Sequence, residues 1–382
     1  MGPCTSACGS RGKTSLVGFR VIRQAVLEML PLVSIIVPVF NGEKYIRECL
    51  DSLVNQCYRR TEIIVMDDAS TDNTAALISL YRDRLTYYRQ PQNRGQFANV
   101  NDGIAKVHGE YIAVFHADDV YMPNIVEREV AFLQRYLRAG AVFCLDVFID
   151  ALGREYGRLE IPPEVRGERP LEYPVILNAL LKYKNKFLVG PSAMVRASVY
   201  QDVGFYRGEE YGIASDLEMW VRIAQKYSIG ILDEHLMCYR HGHGNATQTY
   251  YHLRTEPEGH FQILDSCLQN GGRAVATAQA LTAHEAHRAE DRLMRAINYY
   301  IQGDLFRSAA VLGEVRNADI LASEQVQSAR LFILCVLMRL LLLLPRIRFV
   351  ANFFYRRWHI KNSQRRDVPH VATRGSKSLS PC

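Results

Sequence analysis

No glycine-rich phosphate cradle opens this 382-residue chain. Gly9 to Lys13 completes neither a Walker nor a dinucleotide pattern and precedes the first strand-like run, so phosphate charge would have to be met by something other than helix-end amides. The nine cysteines are an odd set without paired spacing, which gives no disulfide framework and no metal-ligand pair. Cys49, Cys57, Cys144 and Cys335 fall inside apolar or helical patterns and read as reduced core residues of a cytosolic protein. Met1 to Leu30 lacks an uninterrupted apolar segment, which speaks against a secretory signal, and residues 1–32 read as a basic, disordered or loosely docked extension. The most apolar stretch, Leu331 to Leu344, has 14 residues, contains Arg339 and stops at Pro345, short of the ~20 that a membrane span requires.

Acid is scarce at the ends. Residues 331–382 carry ten Lys or Arg against the single acid Asp367, a net of +9, and the first 32 residues add +3, so the remaining body is −6 within a total of +6. A basic tail on an acidic body suits an anionic lipid surface or simple solubility, and nothing in it reads as a nucleic-acid site.

The 48% hydrophobic composition is enough for a large core and two domains. From Val33 the chain alternates short apolar strands with helical patterns. Strands are expected at Val33–Val39, Thr61–Met66, Leu85–Arg89, Tyr111–Phe115 and Ala141–Ile149, with helices at Glu43–Cys57, Asn73–Tyr81, Gln96–Val107 and Pro123–Leu137. This beat predicts an α/β fold, a mainly parallel sheet with helices on both faces.

Polar turns follow three of these strands, at Phe40-Asn41, Asp67-Asp68-Ala69-Ser70 and Asp118-Asp119, all on the carboxyl edge where such sheets bind ligands. An isolated Asp-Asp at a strand end is most often a solvated turn. Three polar turns on one edge favour a nucleotide crevice instead. Adjacent carboxylates repel unless a cation lies beside them, and a hard divalent ion carrying a diphosphate fits.

The runs Val33 to Gln56, Glu62 to Thr74, Asn93-Arg-Gly95 and Gly109 to Asp119 together resemble the family-two inverting glycosyltransferases of the GT-A fold, over roughly residues 33–245. The resemblance implies transfer of a sugar from a nucleotide-diphospho-sugar, with a divalent metal (Mg2+ or Mn2+). Carried onto this sequence, it puts Phe40 against the base with Pro38 and Asn41 beside it, and Asp68 as acceptor of a base N–H. Asn93, Gly95 and Asn101 would belong to a loop and helix closing over the nucleotide. Asp118 would hold ribose or metal, and Asp119 metal. Two positions depart from the pattern: His116 stands where Asp is frequent, and Val100 where Arg is frequent.

Residues 150–186 show little period and read as a mobile connection. The bend Gly190-Pro191-Ser192 corresponds to an acceptor-lining segment in the family. Ser215 or Asp216 can cap a helix with Leu217, Trp220, Val221 and Ala224 on one stripe. The resemblance makes Asp216 the general base, with Glu218 second, and sets Trp220 beside the acceptor. Strand-like runs at Ile229–Leu232 and Met237–Arg240 lead into His241-Gly-His243, where His241 or His243 could complete a metal site or donate to the leaving group, with His243 the candidate metal ligand. Residues 275–344 read as a small helical bundle, with 331–344 as bundle core and 346–358 as membrane-facing. The expected organisation is an extension (1–32), a GT-A domain (33–245, donor half 33–149, acceptor half 150–245), a helical region (246–344) and a basic tail (345–382). A glycan or lipid-linked acceptor follows from the resemblance, while the cysteine usage and the basic C-terminal region give the expectation of a cytoplasmic location, peripheral on the inner face of a membrane. A nucleotidyltransferase would need a basic Gly-rich loop where Phe40-Asn41-Gly42 stands, and a non-catalytic nucleotide-sugar-binding protein is the remaining alternative.

Overall fold

The computed structural model describes residues 29–241, 253–322 and 328–343. β1 (Val33–Val39), α1 (Ile46–Val54), β2 (Thr61–Asp67), α2 (Thr74–Ile78), β3 (Thr86–Arg89), α3 (Gln96–Ile104) and β4 (Tyr111–Val114) follow the expected alternation. β1 pairs in parallel with both β2 and β4, and β2 with β3. Along β1, Val33, Ile35 and Val37 enter a core shared with Ile46, Leu50 and Leu53 of α1, while Ile36 enters the opposite core with Val100 and Ile104 of α3. A strand buried on both faces needs such an unbroken apolar run. α3 packs closely because Gly103 has no side chain: a Cβ there would lie 2.9 Å from Ile36 Cγ2 and 3.1 Å from Met66 Cγ.

β5 (Val120–Tyr121), α4 (Ile125–Arg135), β6 (Ala139–Ile149) and β7 (Glu155–Arg158) come next, then α5 (Tyr173–Tyr183), β8 (Met194–Arg196), α6 (Ala197–Val203), α7 (Gly208–Tyr211), α8 (Ser215–Ala224) and β9 (Ser228–Arg240). The sheet order is β3-β2-β1-β4-β8-β6-β9-β5, with β7 paired to β6. Only the first four strands form the expected parallel run. β8 lies antiparallel to both β4 and β6, so the sheet is mixed, and β6 sits between β8 and β9, which both follow it in the chain. The two runs expected at Ile229–Leu232 and Met237–Arg240 are a single strand of 13 residues.

The reading of 150–186 as a mobile connection is corrected. It contains β7 and α5, and Ile176, Leu177, Ala179, Leu180 and Leu181 of α5 are buried. Those residues recur at helical spacing behind a helix-starting Pro174, a signal obscured by the charged residues around it.

The C-terminal helices are α9 (Gly259–Gln269), α10 (Ala278–Gln302), α11 (Leu305–Gly313), α12 (Asn317–Leu321) and α13 (Ser328–Leu343). Gly303 closes α10 at φ 92°, and Asp304 accepts from the Arg307 N–H at 2.9 Å to cap α11, as the Gly303-Asp304 turn predicts. Ile263 and Leu264 of α9 and Ala280 of α10 join the core beneath the sheet, while α10 from Ala289 onward builds a second core with α11 to α13. Among the described residues no helix is long and apolar enough to cross a membrane.

Candidate active site

Pro38 starts the crevice. Ile36 C=O accepts from Phe115 N–H at 2.9 Å, the next donor on that side of β1 would be residue 38, and proline has none. The β1–β4 ladder therefore ends and the two strands part at their carboxyl ends. Phe40, just beyond, is 51% exposed, a ring surface offered to solvent at the sheet edge. Asn41 takes a left-handed φ of 52° and Ala69 one of 64°, backbone strain tolerated because cross-bonds hold both turns. Asn41 N–H donates to Ser70 Oγ at 2.9 Å, and Asn41 Oδ1 accepts from Thr71 N–H at 2.8 Å. Asn41 thus faces the neighbouring loop with its amide oxygen.

Asp68 is 3% exposed. Its two oxygens accept the Arg94 and Gly95 N–H groups at 2.7 and 2.9 Å, and Asn93 Oδ1 also takes the Gly95 N–H at 3.1 Å. Asp68 is therefore the anchor of the Asn93–Gly95 turn, and each oxygen keeps a second lone pair for a ligand. Asn101 is placed differently from the expectation of nucleotide contact. Its amide bonds the Tyr206 backbone in both directions, at 2.8 and 3.0 Å, pinning α3 to the loop before α7. Val100 is a buried core residue on the same helix.

At the end of β4, His116, Asp118 and Asp119 present ligand atoms all within 4.8 Å of one another. Asp119 is 1% exposed; Oδ1 accepts from the Arg240 N–H at 2.9 Å, while Oδ2 is enclosed without a hydrogen-bond partner. Burial, and then the Asp118 charge, hold the Asp119 carboxyl well above its usual range. An enclosed anionic oxygen beside a second carboxylate and an imidazole kept neutral by burial is a donor set suited to a divalent cation. His116, the residue that departs from the family pattern, thus joins this cluster, and Gln96 Nε2 lies 3.3 Å from its Nε2. His243 lies outside the described residues. His241 is fixed by ring contacts with Phe148 and Tyr239 and by a hydrogen bond to the Tyr156 hydroxyl.

Sequence reasoning passed over Arg240. It is 2% exposed; its guanidinium donates to the Asp118 and Asp150 carbonyls at 2.9 and 3.2 Å and to Glu48 at 2.6 Å, and it stacks over Tyr45. An arginine ending a strand-like run was visible in sequence; its burial and its partners, 90 or more positions away, were not.

Asp216 opens α8 but caps nothing by side chain beyond its own turn: Oδ1 accepts from the Leu217 N–H at 2.6 Å. Burial raises its pKa to about 6. Gly190 faces it closely, since a Cβ at Gly190 would lie 3.3 Å from Asp216 Oδ2. Pro191 and Ser192 are buried; Ser192 Oγ bridges the Cys144 N–H and C=O, each at 3.2 Å, so it substitutes for the ladder between β6 and this bend and is closed to an acceptor. Trp220 is likewise corrected from acceptor contact to core: it is 1% exposed and packs edge-on against Phe143 and Tyr206. Glu218 is paired with Arg222 at 2.6 Å and Arg207 at 3.4 Å, which leaves Asp216 as the available acid on this helix. Tyr239, also absent from the sequence reading, sets its ring edge-on against His241. Its phenol is pushed up by burial and by the charges of Asp119, Asp118, Asp146 and Asp216, so all four acids lie in its field.

A sheet of this order, with an acid cluster at the end of β4 and the half-buried Asp216 at the start of α8, is that of an enzyme of the GT-A type. The Glycosyl transferase family 2 model matches residues 34–204. An uncharacterized glycosyltransferase of Haemophilus influenzae is 30% identical over 234 residues, 59% of this chain and 70% of the relative. One of Methanocaldococcus jannaschii is 27% identical over 216 residues, 55% of this chain and 71% of the relative. Among solved structures, S. aureus TarS 1-349 in complex with UDP-GlcNAc aligns with a TM-score of 0.54 at 19% identity, covering 84% of this chain and 89% of that one. The chain belongs to glycosyl transferase family 2.

Proposed function

We propose that this glycosyltransferase moves a sugar from a nucleotide-diphospho-sugar of the UDP class to a hydroxyl of a growing polysaccharide or lipid-linked glycan, with inversion and with Mg2+ or Mn2+, on the cytoplasmic side of a membrane. The observation that carries the reading is the cluster at the carboxyl end of β4, where His116, Asp118 and Asp119 hold ligand atoms within 4.8 Å of one another and Asp119 Oδ2 is enclosed without a partner. The same edge of the sheet has the exposed Phe40 ring for a base and the spare lone pairs of Asp68 for a base N–H. The TarS complex with UDP-GlcNAc supports the UDP class by fold likeness.

Asp118, Asp119 and His116 would hold the metal, which when bound neutralises diphosphate charge as the leaving group departs. Asp216 takes the proton of the acceptor hydroxyl while that oxygen bonds to the anomeric carbon and the bond from that carbon to the diphosphate breaks. One displacement from the opposite face inverts the centre and requires no covalent enzyme intermediate. A pKa of about 6 leaves Asp216 ionised at neutral pH yet more basic than a solvated carboxylate. The small Gly190 leaves room beside it for an acceptor oxygen.

The test is a panel of nucleotide-sugars scored by thermal stabilisation with and without Mn2+, followed by determination of the product anomer. Stabilisation by a UDP-sugar with Mn2+ and an inverted product are expected. A retained anomeric configuration, or no stabilisation by any donor, would overturn the proposal.

A further inference from the structure

α13 covers little of the molecule it belongs to. Leu331, Cys335 and Met338 pack into the helical core at 6%, 0% and 4% exposure, one residue per turn. The outward stripe is also apolar: Ile333, Val336, Leu337, Leu340 and Leu343 are 57%, 37%, 48%, 50% and 75% exposed. These five recur every three or four positions, so they share one face along a helix of 16 residues, about 24 Å long. Scattered exposed leucines are ordinary, but a continuous face of this kind marks a contact surface.

What covers it is indicated by charge. The helix contains no acid, and Arg346 and Arg348 follow Leu343 by three and five residues. Chain connectivity keeps them within about 10–18 Å of the end of the stripe. Beyond them the sequence holds Arg356, Arg357 and Lys361 with Trp358 among them, and the only acid after residue 330 is Asp367. A second copy would bring this same positive charge against itself. Among the described residues no helix, this one included, is long and apolar enough to cross a membrane.

We infer that the outward face of α13 lies in the surface of an anionic bilayer, with Ile333, Leu337 and Leu340 in the acyl boundary and the following basic residues at the headgroups. This goes beyond the sugar-transfer reading and does not depend on it, since no residue of the crevice takes part.

The test is flotation of the full chain with vesicles of phosphatidylcholine, alone or with about one-third phosphatidylglycerol. The protein should float with the anionic vesicles at least tenfold more than with the neutral ones, and high salt should release it. Leu337→Glu/Leu340→Glu should cut flotation at least tenfold with an unchanged melting midpoint. Leu343→Glu, at the most exposed position, should cut it severalfold and guards against a folding defect in the double variant. Arg346→Gln/Arg348→Gln should weaken flotation and flatten its salt dependence. Failure of the unmodified chain to float, equal flotation of both glutamate variants and the unmodified chain, or a dimer in solution that Leu337→Glu/Leu340→Glu dissociates would each overturn the inference. Donor-induced thermal stabilisation, read on the same variants, should not change, so loss of the membrane reading leaves the catalytic one intact and the reverse also holds.

Discussion

The Arg240 backbone N–H donates to Asp119 Oδ1 at 2.9 Å, joining the last residue of β9 to an acid 121 positions earlier. The same residue's guanidinium takes the Asp118 carbonyl, so one arginine sets both acids from the side opposite the crevice. Asp119 Oδ2 is left facing inward without a partner. These two bonds run from the end of β9 to the residues just after β4, so sheet register holds the acid pair.

Arg240→Met keeps the backbone bond and removes the guanidinium. It strips a donor from the Asp118 and Asp150 carbonyls and from Glu48. A loss of about 2–4 kcal/mol is expected for these buried, partly charge-assisted bonds. Thermal denaturation should show a clearly lower midpoint, with weakened donor stabilisation. An unchanged midpoint would mean that the guanidinium does not hold the loop.

Asp216→Asn should lower kcat by about 100- to 10,000-fold, the range for a lost general base, while donor-induced thermal stabilisation persists. In the unmodified enzyme the base must be ionised, so kcat should fall with a slope of one as pH drops through about 6. The groups in its field are the Tyr206 and Tyr239 phenols, both pushed upward and neutral in that range. A rate independent of pH between 5 and 7, with chemistry limiting, would remove Asp216 from the role.

Asp119→Asn preserves shape and the acceptor for the Arg240 N–H while removing the charge from Oδ2. Transfer should fall at least ~100-fold, and the stabilisation that Mn2+ with a nucleoside diphosphate gives should vanish. Without metal the midpoint should stay level or rise, since an unpaired buried anion is costly. A variant still stabilised by Mn2+ would place the cation elsewhere.

Much of this site was legible because its residues are local to strand ends. Phe40, Asp68 and the Asp118-Asp119 pair fall where an apolar run stops, and β1 matches its expected bounds. The errors share a cause in long-range pairing. Short β8 turns antiparallel because Met194 and Val195 insert between β4 and β6, which no periodicity of three residues can announce. The resemblance sets Trp220 and Ser192 beside the acceptor, but their partners Phe143 and Cys144 lie more than 40 positions away on β6. His116 read as a weakened motif, and only folding brings its ring to the carboxylates.

Asn101→Ala separates a scaffold role from nucleotide contact. Losing both bonds to the Tyr206 backbone should cost about 1–2 kcal/mol in chemical denaturation. The donor KM should change less than about threefold if the amide only pins α3 to that loop. A large rise in donor KM with unchanged stability would restore the nucleotide role.

Glu129 on α4 is 0% exposed, and neither carboxyl oxygen has a hydrogen-bond partner. Burial alone holds its pKa well above the usual range, and Cys144 is the titratable group that feels its charge. A folded-state value above the unfolded one means the folded chain binds more protons, so this acid costs progressively more stability as pH rises from about 4 toward its folded pKa. Glu129→Met fills a similar volume without a charge or an amide to bury. It should raise unfolding stability at pH 8 by about 1–3 kcal/mol, and the gain should shrink toward pH 5 as the pH nears the unfolded-state pKa. Urea denaturation at pH 5, 6.5 and 8 reads the difference directly. A gain that is constant across that range would be a packing effect, and a loss at pH 8 would reveal that the carboxylate is held by a partner when ionised.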